Sequence, residues 1–233
     1  MRLFRTISLA AMLFLSVNSA RAEIKATFTE TSPAQDVTYS LAGTGFQDIR
    51  YGVGPLNFNV ISSTDPRFDG SFSSFCAALT ESVSPGQVAQ YNVVSPGTLS
   101  SVGGSATKVG LLQDLFDKFY DKTDTATGAA AFQVALWEVI TDGDGTLSLT
   151  EGTFTAKDGD SIPVASGWLA SLTSTPAGPK QFDVLGLYSK TSQDQLIGIP
   201  TNPIPAPPAL VLGLVAMGII GLRRRMTASK AIA

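Results

Sequence analysis

Two side chains of this 233-residue chain have the chemistry to react with each other, the thiol of Cys76 and the side-chain amide of Gln133. Cys76 is the single cysteine, and it lies in residues 72–79, an alternating run that predicts a β-strand. Gln133 lies inside residues 129–142 (AAAFQVALWEVITD), which predict a helix whose apolar face surrounds the amide. Burying an unpaired amide costs about 1 to 3 kcal/mol. We therefore expect either that a backbone group satisfies Gln133 or that its amide has reacted.

A thiol and an amide held in contact can form an internal thioester. The sulfur of Cys76 would attack the side-chain carbonyl carbon of Gln133, ammonia would leave, and the polar amide would disappear from the apolar face. Holding two reacting groups together in a good orientation can give effective molarities of about 10⁵ M or more. The alternative is structural, because a cysteine often only fills a core and a helix glutamine can bond a nearby carbonyl. The residue types leave both alternatives open.

The residues around this pair resemble the thioester domains of bacterial surface adhesins. In that family an aromatic-Cys element pairs with a helix that carries Thr-Gln-x-Ala-Ile/Val-Trp; this chain has Phe-Cys at 75–76 and Gln-Val-Ala-Leu-Trp at 133–137, with Phe132 in place of the threonine. The resemblance implies that Cys76 is the thiol, Gln133 the acyl donor and Trp137 a neighbour that shields the bond. It also implies a protein that acylates a partner's lysine amine or sugar hydroxyl once, without turnover and without a cofactor, and so is not an enzyme.

Strands and helices must position these residues. Alternating apolar residues predict strands at residues 24–29, 37–41, 56–60, 72–79, 87–94, 146–156, 182–189 and 195–199. Helical spacing predicts three helices, at residues 108–122, 129–142 and 164–172. Thr125 or Thr127 is expected to cap the second helix, which should end near Gly143, and Trp168 is expected to point inward from the third. We predict an α+β domain over residues 23–200, a β-sandwich or barrel with two or three packed helices.

Both ends of the chain have the composition of export segments. Residues 1–22 combine Arg2 and Arg5, an apolar core at 7–17 and the small residues Ala20 and Ala22, which together predict a signal peptide removed by signal peptidase. An uncleaved anchor is the alternative. Residues 201–208 form a proline-rich spacer, and the apolar residues 209–222 would form a transmembrane helix of only about 21 Å. The basic tail, residues 223–233, would remain cytoplasmic, which leaves the domain outside.

The C-terminal segment resembles the PEP-CTERM class of sorting signals of Gram-negative bacteria. The resemblance rests on Pro205-Ala206-Pro207, the short apolar helix and Arg223-Arg224-Arg225. Ala206 replaces the glutamate of the family name, as in variants with small apolar residues (VPxxP-like). The resemblance implies a membrane-embedded exosortase-like enzyme that cleaves near the motif and releases or transfers the protein to the surface. A plain C-terminal membrane anchor is the alternative.

Composition excludes several classes of function. The chain contains no histidine, which excludes a triad or a zinc site built on imidazole. Residues 23–200 carry nine basic and nineteen acidic residues, a net charge of −10, so nucleic acid is an unexpected partner. Asp142 opens a calcium-like Asp-Gly-Asp-Gly-Thr run, but Leu147 and Thr153 occupy the sixth and twelfth positions of an EF-hand loop. We therefore expect a solvated turn and no metal.

Carboxylates suggest a third class of function. Asp114, Asp117, Asp121 and Glu138 could supply the pair of carboxylates that a glycoside hydrolase needs, but the first three are expected on the solvent-facing side of their helix. Their spacing gives no support to a hydrolase. The sequence therefore predicts an exported, surface-sorted protein for adhesion or extracellular matrix, with a thioester that acylates a surface or matrix partner. A non-covalent binding or structural module with an unreacted Cys76 is the alternative.

Overall fold

The computed structural model describes residues 22–176 and 178–201, in which a closed barrel, a smaller sheet and three α-helices form the predicted α+β fold. The predicted signal peptide, sorting motif, transmembrane helix and basic tail lie outside the described residues, except for their border residues Ala22 and Thr201. Among the helices of the described ranges, none combines the length and the apolar character needed to cross a bilayer.

Six antiparallel strands close the barrel. They are β1 (Glu23–Thr31), β4 (Leu56–Ser63), β5 (Ser71–Cys76), β9 (Gln195–Pro200), β8 (Phe182–Tyr188) and β6 (Val88–Val94), in that order around the barrel. Every second side chain of a strand points into the barrel, and apolar residues fill its interior. Ile24, Ala26 and Phe28 of β1 are buried there, and the rings of Phe58 and Tyr91 meet edge to face at a centroid distance of 5.8 Å. Of the two predicted β architectures, the barrel is the one observed.

The second sheet has three strands in the order β3 (Ile49–Val53), β2 (Gln35–Leu41) and β7 (Phe154–Lys157). β3 is missing from the strands predicted above. The predicted strand at 146–156 is wrong for most of its length, since only its last residues belong to β7. The carboxylate of Asp142 accepts hydrogen bonds from the N–H groups of Thr153 and Phe154 at 2.9 and 2.8 Å, which holds the preceding residues in a turn.

Three helices cover the sheets: α1 (Ala106–Phe119), α2 (Ala126–Asp142) and α3 (Ser161–Leu169). α2 packs against α1, α3 and the second sheet, and its residues from Gly128 to Ile140 are all buried. The helix is therefore buried on every side rather than on one broad face, as is typical of a central helix. Its end at Asp142 agrees with the prediction.

Of two expectations about the helix surfaces, the exposure of Asp114 is wrong and the inward position of Trp168 is confirmed in part. Asp114 does not face solvent: it is 4% exposed and accepts hydrogen bonds from Lys118 Nζ at 2.7 Å and from the N–H of Thr173 at 2.8 Å. This carboxylate ties α1 to the segment after α3. Trp168 is half-buried and stacks on Phe119 with a centroid distance of 4.5 Å, at the edge of the core.

The strand register places Cys76 far from the end of the described chain. Cys76 is the last residue of β5 and pairs with Gln195, the first residue of β9. β9 then runs away from Cys76 to Pro200, which pairs with Phe182 about 17 Å further along the strand. Thr201 therefore leaves the barrel at the end opposite Cys76.

Replacing Thr125 by alanine is expected to lower the free energy of unfolding by about 1 kcal/mol. Thr125 Oγ1 accepts the N–H of Gly128 at 3.1 Å and is the N-cap of α2. Thr127→Ala is the matched control: it lies inside the first turn, where alanine favours the helix, and should leave stability unchanged or slightly higher. Urea unfolding followed by circular dichroism measures both, and equal effects of the two variants would contradict the assignment of the cap.

Candidate functional site

Gln133 and Cys76 are in direct contact through the Gln133 side chain and the Cys76 backbone. Gln133 Oε1 accepts the N–H of Cys76 at 2.8 Å, and Gln133 Nε2 donates to the C=O of Cys76 at 2.9 Å. Both residues are buried, with exposed fractions of 1% and 4%. The prediction of a buried glutamine is thus confirmed, and its backbone partner belongs to the cysteine itself.

Aromatic packing around the pair holds β5 against α2. The rings of Phe75 and Phe132, the residues that precede Cys76 and Gln133, lie 4.6 Å apart. Phe132 also meets Phe116 edge to face at 5.0 Å. Phe132, which stands where the adhesin motif has threonine, is therefore a core residue. Its packing on Phe75 holds Gln133 level with Cys76.

The environment of the Cys76 thiol keeps it neutral. Burial raises its pKa to about 12, and the nearby carboxylates of Glu81 and Asp194 act in the same direction. The indole of Trp137 opposes this effect and lowers the pKa of the thiol. Its N–H has no hydrogen-bond partner among the described residues, and the side chain is 6% exposed. The indole N–H of Trp137 is therefore placed to donate to the sulfur, and no other described group engages it.

A cavity of about 370 Å³ opens onto Cys76, Gln133 and Trp137. Its walls are mostly apolar and come from the barrel, from the inner face of the second sheet and from the segment after β5; they include Phe28, Tyr39, Phe46, Ile49, Tyr51, Leu56 and Leu79. Tyr51 is 60% exposed although it pairs with the buried Val37 on the inner face of the sheet, because the cavity lies beneath it. The site is therefore reachable by a small ligand.

Polar residues of two loops form the rim of this cavity, and the sequence alone did not identify them. Gln193 Nε2 donates to the C=O of Glu81 at 2.6 Å, and the N–H of Asp194 donates to the Glu81 carboxylate at 3.3 Å. These bonds fix the segment that follows Cys76. The sequence offers one signal for this rim, which is that Glu81 follows Cys76 by five residues. This spacing indicates a rim residue only when the pairing of β5 with β9 is known.

The other acidic residues considered from the sequence do not converge on one site. Asp117 Oδ1 accepts the N–H groups of Gln181 and Phe182 at 2.8 and 3.0 Å. In the calcium-like run, Asp142 closes the turn described above, and Asp144 accepts from Ser105 Oγ and lies 3.6 Å from Lys108 Nζ. These carboxylates bind backbone and side-chain donors of the protein, which gives them structural roles.

The fold and the site define an α+β protein with a buried Cys–Gln pair at the floor of an apolar cavity. Comparison of the chain with protein-family models, with curated proteins and with solved structures gives no match.

Replacing Gln133 by methionine is expected to lower the free energy of unfolding by roughly 3 kcal/mol, because it leaves the N–H and C=O of Cys76 buried without partners. The comparison is made in a Cys76→Ala background, in which the two side chains cannot bond covalently. Gln90→Met on the exposed side of β6 is the control and should change stability little. A loss below about 0.5 kcal/mol for the Gln133 variant would show that the amide pair contributes little.

Glu138 makes stability depend on pH. The side chain is fully buried, Oε1 accepts the N–H of Ser148 at 2.7 Å, and Oε2 has no partner among the described residues. Burial raises its pKa to about 7, with a smaller contribution from Asp142. The folded protein therefore keeps a proton that the unfolded chain releases between about pH 4.5 and 7, so this group's contribution to stability falls as pH rises through that range.

Glu138→Gln should remove this dependence. We expect the wild type to lose roughly 2 kcal/mol more than the variant between pH 5 and pH 8, measured by urea unfolding at both pH values. Glu151→Gln, a change at an exposed position, controls for the loss of one acidic residue and should keep the slope of the wild type. Parallel pH profiles for the wild type and the Glu138 variant would contradict the assignment.

Proposed function

We propose that residues 23–200 form an exported attachment domain with an internal thioester between the Cys76 sulfur and the Gln133 side-chain carbonyl carbon. The domain would attach to a surface or matrix partner by transferring the Gln133 acyl group to an amine or hydroxyl of that partner. It would act once and without a cofactor, which separates it from enzymes. The family resemblance to adhesin thioester domains adds to this proposal.

One observation carries the proposal: both hydrogen-bonding groups of the Gln133 amide bind the backbone of the residue that bears the thiol. Attack on the amide carbon moves negative charge onto Oε1, and the Cys76 N–H that already contacts this oxygen at 2.8 Å would stabilise that charge. The second hydrogen bond holds the leaving nitrogen in a fixed orientation. Such fixed contact is what an amide needs to react with a thiol at a useful rate.

The proposed chemistry is balanced without any other reactant. In formation, a carbon–sulfur bond replaces the carbon–nitrogen bond of Gln133, the thiol proton passes to the departing nitrogen, and ammonia leaves. In attachment, the partner's nitrogen or oxygen attacks the same carbon, the carbon–sulfur bond breaks, and the sulfur takes the proton that the nucleophile loses. The high pKa of Cys76 makes its thiolate a poor leaving group, so this proton matters.

Trp137 supports both states of the proposed site. Its ring packs on Tyr39 at a centroid distance of 5.1 Å and limits the access of water to the bond. Its free indole N–H would donate to the sulfur as negative charge develops there. Trp137 would thus donate a hydrogen bond to the sulfur in addition to shielding the bond from water, which is the role that the resemblance implies.

The composition of the terminal segments supports a location of this domain outside the cytoplasm. The signal peptide, processed by signal peptidase, and the PEP-CTERM-like tail would export the chain across the inner membrane and hold it by residues 209–222. An exosortase-like enzyme would then act near Pro205-Ala206-Pro207. The same segments are compatible with adhesion and with a role in biofilm matrix.

A non-covalent surface module is the second candidate, and a specific observation favours it. The Gln133 amide has partners for its oxygen and for its nitrogen, so its burial is explained without any reaction. The neutral, buried thiol of Cys76 fits this alternative equally well. In that case the pair would be a structural link between β5 and α2.

Intact-mass spectrometry of the purified exported domain tests the proposal. The wild type should be lighter than its sequence mass by one ammonia molecule, and methylamine should add to Gln133 and free Cys76 for alkylation. Cys76→Ala and Gln133→Ala should both have their unmodified sequence masses and should not react with methylamine. An unmodified wild-type mass would overturn the thioester and leave the non-covalent module.

Trp137→Phe separates shielding from hydrogen bonding, because it keeps an aromatic ring and removes the N–H. We expect the variant to form the thioester and to react with methylamine more slowly, by about tenfold, the worth of one charge-assisted hydrogen bond. The other tryptophan provides the control, since Trp168→Phe should react at the wild-type rate. An unchanged rate for the Trp137 variant would restrict this residue to packing.

A further inference from the structure

We infer that the cavity above Cys76 and Gln133 is a binding site for primary alkylammonium groups, held by Glu81 and by the surrounding aromatic rings. As a statement about the acceptor of the acyl group, this inference rests on the proposed function and narrows its two nucleophile classes, amine and hydroxyl, to the amine. A bound ammonium would first pass one proton to the Glu81 carboxylate or to water at the rim, the free amine would attack the acyl carbon, and the sulfur would take the second proton as the carbon–sulfur bond breaks. As a statement about binding, it can be measured in a protein that has no thioester.

The charge of the lining carries the first step. Among the described residues that line the cavity, Glu81 is the one charged side chain, and neither lysine nor arginine contributes to the wall. A lone carboxylate beside apolar walls attracts a cation more strongly than it would in open water. An anionic ligand would meet Glu81 without a compensating positive charge.

The aromatic lining carries the second step. Tyr39, Phe46, Tyr51 and Trp137 all face the cavity. Aromatic faces attract ammonium groups through their quadrupole and also pack against an alkyl stem. A neutral alcohol of the same length would gain only the packing.

The position of Glu81 carries the third step. The hydrogen bond from the Asp194 N–H to the carboxylate and the bond from Gln193 to the Glu81 carbonyl hold this residue at the rim. The carboxylate is close enough to influence the Cys76 thiol, although Glu81 itself remains exposed. An ammonium group held at Glu81 would therefore lie at the entrance of the cavity whose floor is the Cys–Gln pair.

The test measures binding in a Cys76→Ala variant, with Cys76→Ser as the replacement if the alanine variant does not fold. The probes are n-butylammonium chloride, 1-butanol and sodium butyrate, titrated at constant ionic strength. The indole N–H signal of Trp137 in a nitrogen–proton correlation spectrum reports on the cavity. The signal of Trp168, which stacks on Phe119 outside the cavity lining, serves as the internal reference.

We expect n-butylammonium to bind at least about tenfold more tightly than 1-butanol, and butyrate not to shift the Trp137 signal. Adding Glu81→Gln should reduce the preference for the ammonium to within about twofold, because the uncharged amide of similar shape keeps the packing. Adding Glu151→Gln changes the net charge equally at an exposed position and should keep the preference. Equal binding of the alcohol, or a preference that survives in the Glu81 variant, would overturn the inference.

Failure of this inference and failure of the proposed function give different results. Loss of ammonia from the wild type, without selective ammonium binding in the Cys76→Ala variant, would retain the thioester and overturn the site. Selective binding with an unmodified wild-type mass would retain the ammonium site and overturn the covalent function.

Discussion

The two hydrogen bonds between the Gln133 side chain and the Cys76 backbone join the barrel to its central helix, and the rest of the site depends on them. α2 is buried on every side and mostly apolar, so hydrophobic burial, which has no preferred direction, does not by itself fix the rotation of the helix. The amide does fix it, because a turn of about 100° would bring an apolar neighbour to Cys76 and leave buried polar groups unpaired. One polar contact thus defines how two apolar surfaces meet.

Burial raises the pKa of two ionisable groups in this core, whereas the carboxylate at the rim of the cavity is exposed. Cys76 and Glu138 are both buried, and in both cases the low polarity of the surroundings raises the pKa and favours the neutral form. Glu81, only a short loop away, is exposed. The site therefore combines a neutral floor with a charged entrance, and an ammonium group that reacts would give up a proton at the entrance before its nitrogen reaches the floor.

Local sequence patterns predicted the strands and helices whose burial follows a strand or helix period. They failed for residues whose burial or position depends on contacts distant in the sequence. Alternation identified β1 and β4, and helical spacing identified α2 together with the burial of Gln133. β3 was missed although Ile49, Tyr51 and Val53 alternate with Arg50 and Gly52, because the strand is only five residues long and the glycines at 52 and 54 are typical of a turn. Asp114 was assigned to solvent because its partner, the N–H of Thr173, lies fifty-nine residues away. Glu81 and Gln193 join the Cys–Gln pair only through the pairing of β5 with β9, which no local pattern encodes.

The direction of β9 has a mechanical consequence. The strand lies between β5 and β8 in a closed barrel, and the chain continues from its far end at Thr201. A pull on the chain beyond Thr201 would load β9 along its own axis, across hydrogen bonds that run perpendicular to the strand. Those bonds would share the load in shear instead of opening one after another like a zipper. Tension between the Cys–Gln floor and the C-terminal end would thus pass through the part of the barrel that is best arranged to resist it.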